Sequence, residues 1–364
     1  MRRRPRPALL GVLAAISLLV PATANAQTKS APQPKIVGGS QVSISQYPWQ
    51  AAVVFTGSGN AHNRQFCGGS LITSRIVLTA GHCVFDTDPD CFASCVSFHP
   101  ICNGLSDPPP GDGTCELDPN DVDVVLGRTT LSNTSEGAEM GVMATAFQSN
   151  YDGDFQGDGV PRFDVGYLVL DAASVQPQIH IAGTDEASLW APGAPVDISG
   201  WGFTSELASD TEDSLRATTV NIVPDSTCSS DYGADFDAGT MVCASAPGKD
   251  TCSGDSGGPL QASIGGGVYR LVGITGWGDG CARANAPGVY TRVAGPTMRS
   301  LIESDVASLE SQLGLPNETP VGSGGPTTRT TKSATSPRAK CKRIRNKTKR
   351  KRCVKKAKRK QKTA

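Results

Sequence analysis

The chain has 364 residues and a hydrophobic fraction of 38%, enough for a substantial core in two ordinary domains or one larger all-β unit with appendages. Its 41 Gly and 25 Pro argue against an architecture of long helices and for many short strands and turns. The zero net charge conceals a split: residues 36–319 hold 10 Lys and Arg against all 34 Asp and Glu, about −24, while nothing from residue 320 onward is acidic.

The N-terminus carries Arg2, Arg3, Arg4 and Arg6, then an apolar run over 8–20, then Ala24-Asn25-Ala26. A basic start, a short apolar run and small residues predict an export signal over 1–26; the run is too short for a membrane anchor. No other apolar segment is long enough to span a bilayer, so the chain is expected to be secreted. Residues 27–35 form a short polar segment containing Pro. The 12 cysteines fit an oxidising compartment, where an even count predicts disulfides. Cys91 and Cys95 lie close together, but no second such pair accompanies them, which disfavours zinc.

Residues 36–315 read as one compact β domain. Strands are predicted over 50–55, 76–80, 122–126, 165–170, 217–223, 268–275 and 288–293. Each run is short, rich in Val, Ile, Thr and Tyr, and bounded by Gly, Asp or Pro. Within the domain, residues 91–115 look like an insertion, full of Asp, Pro and Gly. Its four cysteines, Cys91, Cys95, Cys102 and Cys115, allow three pairings, and a stapled surface loop is expected rather than a substrate contact. A helix is predicted from Pro296, because Leu301, Ile302, Val306, Leu309 and Leu313 recur at helical spacing. Many strands and one closing helix imply an all-β barrel or sandwich. Residues 316–337 have the composition of a flexible linker, and residues 338–364 form a basic tail with 16 Lys and Arg.

Three stretches carry the residue types needed to attack an amide. A hydroxyl is a poor nucleophile at its own pKa, so an imidazole must take its proton, and a carboxylate must orient that imidazole. Leu78-Thr79-Ala80-Gly81-His82-Cys83 places His82 after a strand and beside a cysteine; His62, His99 and His180 lack that setting. Asp164 opens the apolar run 165–170, a weak signal alone. Gly254-Asp255-Ser256-Gly257-Gly258-Pro259 is the strong one. Glycines around a serine allow a sharp turn that exposes the hydroxyl and gathers backbone N–H groups.

These stretches, with Ile36-Val37-Gly38-Gly39, Tyr47-Pro48-Trp49-Gln50, Cys67-Gly68-Gly69-Ser70-Leu71-Ile72, Gly200-Trp201-Gly202 and Pro287-Gly288-Val289-Tyr290-Thr291-Arg292-Val293, resemble the trypsin/chymotrypsin family of serine proteases, in family order over nearly all of residues 36–300. The resemblance implies two packed six-stranded antiparallel β-barrels with a C-terminal helix and the site between them. It implies His82 as general base, Asp164 as orienting acid, Ser256 as nucleophile, and the N–H groups of Gly254 and Ser256 as oxyanion hole. Asp250 stands where trypsin-like members place the acid at the floor of the specificity pocket, and Gly278 and Gly288 match positions that leave that pocket open. Cleavage after Arg or Lys is the expectation, since an unpaired buried carboxylate is costly.

Lys35-Ile36 resembles the activation bond, whose cleavage frees the Ile36 ammonium to pair with Asp255. Family pairing joins Cys67 to Cys83, Cys228 to Cys243, and Cys252 to Cys281, leaving Cys341 and Cys353 in the tail. Gly276 departs from the family, in which a serine there bonds the orienting acid. The expected partners are protein or peptide substrates of a monomeric enzyme, and an acidic polymer or nucleic acid for the tail. No cofactor is implied except calcium, suggested weakly by Asp86, Asp88 and Asp90 and by Asp152, Asp154 and Asp158, neither of which is a complete ligand pattern. Two competing readings are a non-catalytic binding protein on the protease fold and a polyanion-binding module built around the tail.

Overall fold

The Val- and Ile-rich runs form strands that close on themselves twice. The computed structural model describes residues 36–86, 115–151 and 160–322. In chain order the strands are β1 (Ser40–Gln41), β2 (Gln50–Phe55), β3 (Gln65–Leu71), β4 (Ile76–Thr79), β5 (Phe85–Asp86), β6 (Cys115–Glu116), β7 (Val122–Leu126), β8 (Ala138–Phe147) and β9 (Gly166–Leu170). They continue with β10 (His180–Ala182), β11 (Pro195–Gly200), β12 (Arg216–Ile222), β13 (Met241–Ser245), β14 (Pro259–Gly265), β15 (Val268–Trp277), β16 (Gly288–Thr291) and β17 (Val321–Gly322). Two α-helices are present among the described residues, α1 (Asp225–Tyr232) and α2 (Pro296–Gln312).

The first barrel runs β2-β3-β4-β9-β8-β7 and closes through β7 on β2. The second runs β14-β11-β12-β13-β16-β15 and closes through β14 on β15. Every pairing within either barrel is antiparallel. Both barrels are therefore six-stranded, as the family resemblance implies. All five residues of β9 are buried, which explains its unbroken apolar sequence. Leu71, Ile76, Leu78, Leu168 and Leu170 fill the first core, and Val196, Ile198, Val242, Leu260 and Val272 the second. Burial of each such side chain contributes roughly 1.5–3 kcal/mol relative to exposure.

Pro296 supplies the first turn of α2 with the φ it needs, and Ile302, Val306 and Leu309 turn one face into the first core. The Tyr167 hydroxyl on β9 donates to Asp305 on this helix at 2.7 Å. The insertion leaves and rejoins on a short ladder, with Phe85 opposite Glu116 and Asp86 opposite Cys115. Its stem thus stands two residues beyond Cys83.

One expectation changes at the C-terminal end. The chain does not leave the domain at residue 316. Glu318 accepts the Ser74 amide at 2.9 Å and the Ser74 hydroxyl, and its own amide donates to the Glu310 carboxylate at 3.0 Å. The Ile181 amide donates to the Pro320 carbonyl at 2.9 Å, and β17 pairs parallel with β10. The composition reads as linker, but long-range bonds hold residues 316–322 as a strap across the domain.

Candidate active site

The site is assembled where the two barrels meet. His82 sits in a single 3₁₀ turn, Gly81–Cys83, directly after β4. Asp164 precedes β9, and antiparallel pairing of β4 with β9 sets Thr79 opposite Gly166. The register brings the two side chains together. His82 Nδ1 lies 2.9 Å from Asp164 Oδ2, and the His82 amide donates to Oδ1 at 2.9 Å. Asp164 is buried, and the Thr291 hydroxyl donates to its backbone carbonyl at 2.9 Å. The Cys67–Cys83 disulfide ties the His82 turn to β3.

Ser256 belongs to the second barrel, in the turn before β14. Its carbonyl accepts the Gly68 amide of β3 at 2.7 Å, while Gly257 donates to Thr275 at 2.8 Å. The serine turn is thereby pinned to both barrels. Gly257 has a φ of 79°, and a Cβ there would collide with Thr79 Oγ1 and the Gly68 carbonyl. Only glycine lets the turn come this close to the strand that leads into His82. Gly254 begins the turn, and its carbonyl accepts Gln65 Nε2 at 2.7 Å. Gln65 is buried and also bonds the Cys67 carbonyl at 3.1 Å. Sequence reasoning overlooked it; the available signal was a polar residue at the start of a buried strand beside Cys67-Gly68-Gly69.

Ser256 lines a cavity of ≈ 190 Å³ together with Trp277, Gly278, Gly288 and Asp250. Asp250 is buried, accepting the Thr251 amide at 2.9 Å and the Ala282 amide at 2.8 Å. Burial pushes its carboxyl up to about 6 despite those bonds. A Cβ on residue 288 would lie 2.7 Å from Asp250 Oδ1. The Cys252–Cys281 disulfide braces the same wall, and Cys228–Cys243 ties α1 to β13. From α1, Tyr232 packs edge-on against Trp277 and donates to the Pro287 carbonyl at 2.6 Å.

Asp255, beside the serine, points the other way. Its carboxylate accepts the Gly202 amide at 2.8 Å and the Cys252 amide at 3.0 Å, and burial pushes it up to about 7. Ile36 is fully buried in the second core, and the Asp250 amide donates to the Val37 carbonyl at 3.1 Å. Lys35, Cys91, Cys95, Cys102, Cys341, Cys353 and the basic tail lie outside the described residues, as do the acidic residues proposed for calcium apart from Asp86. Among the described residues one group has metal-ligand spacing, Cys67, His82 and Cys83, and its two cysteines are joined to each other. It is not a metal site.

Two closed barrels holding a histidine–carboxylate pair and a glycine-flanked serine at their junction define the serine-protease class. The chain belongs to the trypsin family: the family model described as Trypsin matches residues 36–94 and 113–301. The unmatched stretch between those segments falls within the insertion. Trypsin of Saccharopolyspora erythraea is 35% identical over 260 residues, covering 71% of this chain and 93% of that protein. Trypsin-1 of Astacus astacus is 33% identical over 263 residues, covering 71% and 95%, and trypsin beta of Drosophila erecta is 34% identical over 265 residues, covering 71% and 85%.

Proposed function

We propose that the chain is a secreted serine endopeptidase that hydrolyses peptide bonds after Arg or Lys and is activated by cleavage between Lys35 and Ile36. Ser256 Oγ attacks the scissile carbonyl carbon while His82 Nε2 takes its proton. The C–N bond then breaks as His82 returns that proton to the leaving amine. Water repeats the sequence on the acyl-enzyme, releasing the acid and restoring Ser256. The 2.9 Å contact between Nδ1 and Asp164 supports this assignment, because it commits the other ring nitrogen to proton transfer. The N–H groups of Gly254 and Ser256 are assigned to the developing oxyanion.

The observation that carries the specificity is Asp250, a buried carboxylate lining the same cavity as Ser256 and the facing glycines Gly278 and Gly288. A long cationic side chain is the occupant that offsets the cost of that buried charge. Cleavage-site profiling of the activated enzyme on a peptide library should return cuts after Arg and Lys. Asp250→Ser should abolish that preference; a preference for Arg over Phe that survives the change would refute the assignment.

Activation is supported by the burial of Ile36 and by an Asp255 carboxylate held by backbone N–H groups alone among its bonds described above. The ammonium freed at Ile36 would stabilise that anion, a pairing unavailable before cleavage. Because the bond follows Lys, the active enzyme is assigned to mature its own precursor. Purified Ser256→Ala precursor should then keep its N-terminus, and maturation at the normal rate would refute self-activation. Export is supported by the signal-like residues 1–26 and the disulfides; among the described residues no helix is long and apolar enough to cross a membrane.

A further inference from the structure

A protease that cuts after Arg and Lys is surrounded by its own substrate, so the placement of its basic residues bears on its survival. The 10 Lys and Arg of residues 36–319 all fall within the described residues; the stretches 87–114 and 152–159 contain none. Arg128, Arg216, Arg270 and Arg299 are at most 9% exposed. Arg64, Arg75, Lys249 and Arg292 are half-buried, and each side chain donates to a backbone carbonyl, of Phe55, Leu170, Thr219 and Met241 respectively.

Two basic residues are exposed, and both sit in backbone that turns sharply. Arg283 is ion-paired with Glu206 at 2.7 Å and Asp279 at 2.8 Å, and it lies between Ala282 and Asn285, whose φ values are 58° and 61°. Arg162 is followed by Phe163 with a φ of 53°, and its guanidinium donates to the Ala234 carbonyl at 3.3 Å. A protease cleft takes its substrate as an extended strand. Neither bond can be offered in that form without local unfolding. Beyond the strap, basic residues become frequent in the sequence. Residues 323–328 contain no Lys or Arg, Arg329 follows seven residues after β17, and the basic tail comes next.

We infer that the folded domain is closed to its own specificity, and that self-processing is confined to the Lys35–Ile36 bond and to bonds from Arg329 onward, leaving a core of residues 36–329. This rests on the cleavage after Arg or Lys proposed above. The test has two arms. The full-length Ser256→Ala chain is incubated with a separate Arg/Lys-specific protease, and the active chain is incubated alone; intact masses are followed in both. Both should lose the tail and keep the core, with the core outlasting the tail by about 100-fold or more. Cuts after Arg162 or Arg283 on the timescale of tail loss would overturn the inference. An active chain that cuts Arg amides but also breaks its own core overturns this inference alone. One that spares Arg amides and its own tail, while the first arm still yields the core, overturns the specificity and self-processing with it.

Discussion

His82 and Asp164 are joined twice, through Nδ1 to one carboxylate oxygen and through the backbone amide to the other, each at 2.9 Å. One acid therefore fixes both the ring tautomer and the turn that carries it. Asp164→Asn should lower kcat by roughly 10⁴, the loss known for Ser-His-Asp enzymes, with KM for an Arg amide little changed. Steady-state kinetics on folded protein decide it; an undiminished kcat would remove Asp164 from the mechanism.

A Cβ on residue 276 would stand 3.6 Å from Asp164 Oδ2 and 3.2 Å from the Val289 carbonyl. A serine at that position has a hydroxyl within reach of the acid. Gly276→Ser should raise kcat/KM by about two- to tenfold, the worth of one added hydrogen bond, whereas Gly276→Ala should give no gain. Equal gains in both variants would point to packing instead.

Gly288 faces the Asp250 carboxylate with no room for a side chain, since a Cβ would lie 2.7 Å from Oδ1. Gly288→Ala should raise KM for Arg amides by at least about tenfold while leaving the Tm within a few degrees, because the methyl intrudes on the cavity and on the acid. Unaltered KM in the folded variant would mean that the cationic side chain binds elsewhere.

Most of the site was legible in the sequence because glycines and cysteines mark places where the backbone itself is constrained. The turn around Ser256 needs Gly257 against Thr79, and that need is written as a motif. Strand β8 was missed because its first six residues are exposed or half-buried and its apolar residues do not alternate cleanly. Helix α1, with the sequence DSTCSSDY, has no apolar stripe and is held by Cys228 and by the Arg292–Asp225 ion pair. The strap was read as linker for a similar reason: what orders it is Glu318 reaching Ser74, 244 positions away, and local composition cannot register that.

Asp250 gives cation binding in the pocket a pH dependence. Its carboxyl is pushed up to about 6, and a cation binds the ionised form, so protons compete with the ligand below that pH. Affinity for a small aromatic amidine, measured by calorimetry, should be flat above about pH 7 and fall toward tenfold per unit at pH well below 6. The same slope in Asp250→Asn would assign the titration to another group.

Asp255 acts on the stability of the uncleaved chain. Its carboxyl is pushed up to about 7, above the unfolded value near 4, so its contribution favours folding most at low pH and is lost as pH rises to 7. The Tm of the Ser256→Ala precursor should therefore decline more steeply between pH 4 and 7 than that of the same chain carrying Asp255→Asn. Parallel Tm profiles for the two would contradict a buried, unpaired anion.

The strap sets a practical boundary for anyone who shortens this protein. A stop codon placed at the end of α2 would discard Glu318 and Pro320 together, stripping the Ser74 and Ile181 amides of their acceptors and exposing the edge of β10. Ending the reading frame after Gly322, or attaching a purification tag beyond it, preserves that seam.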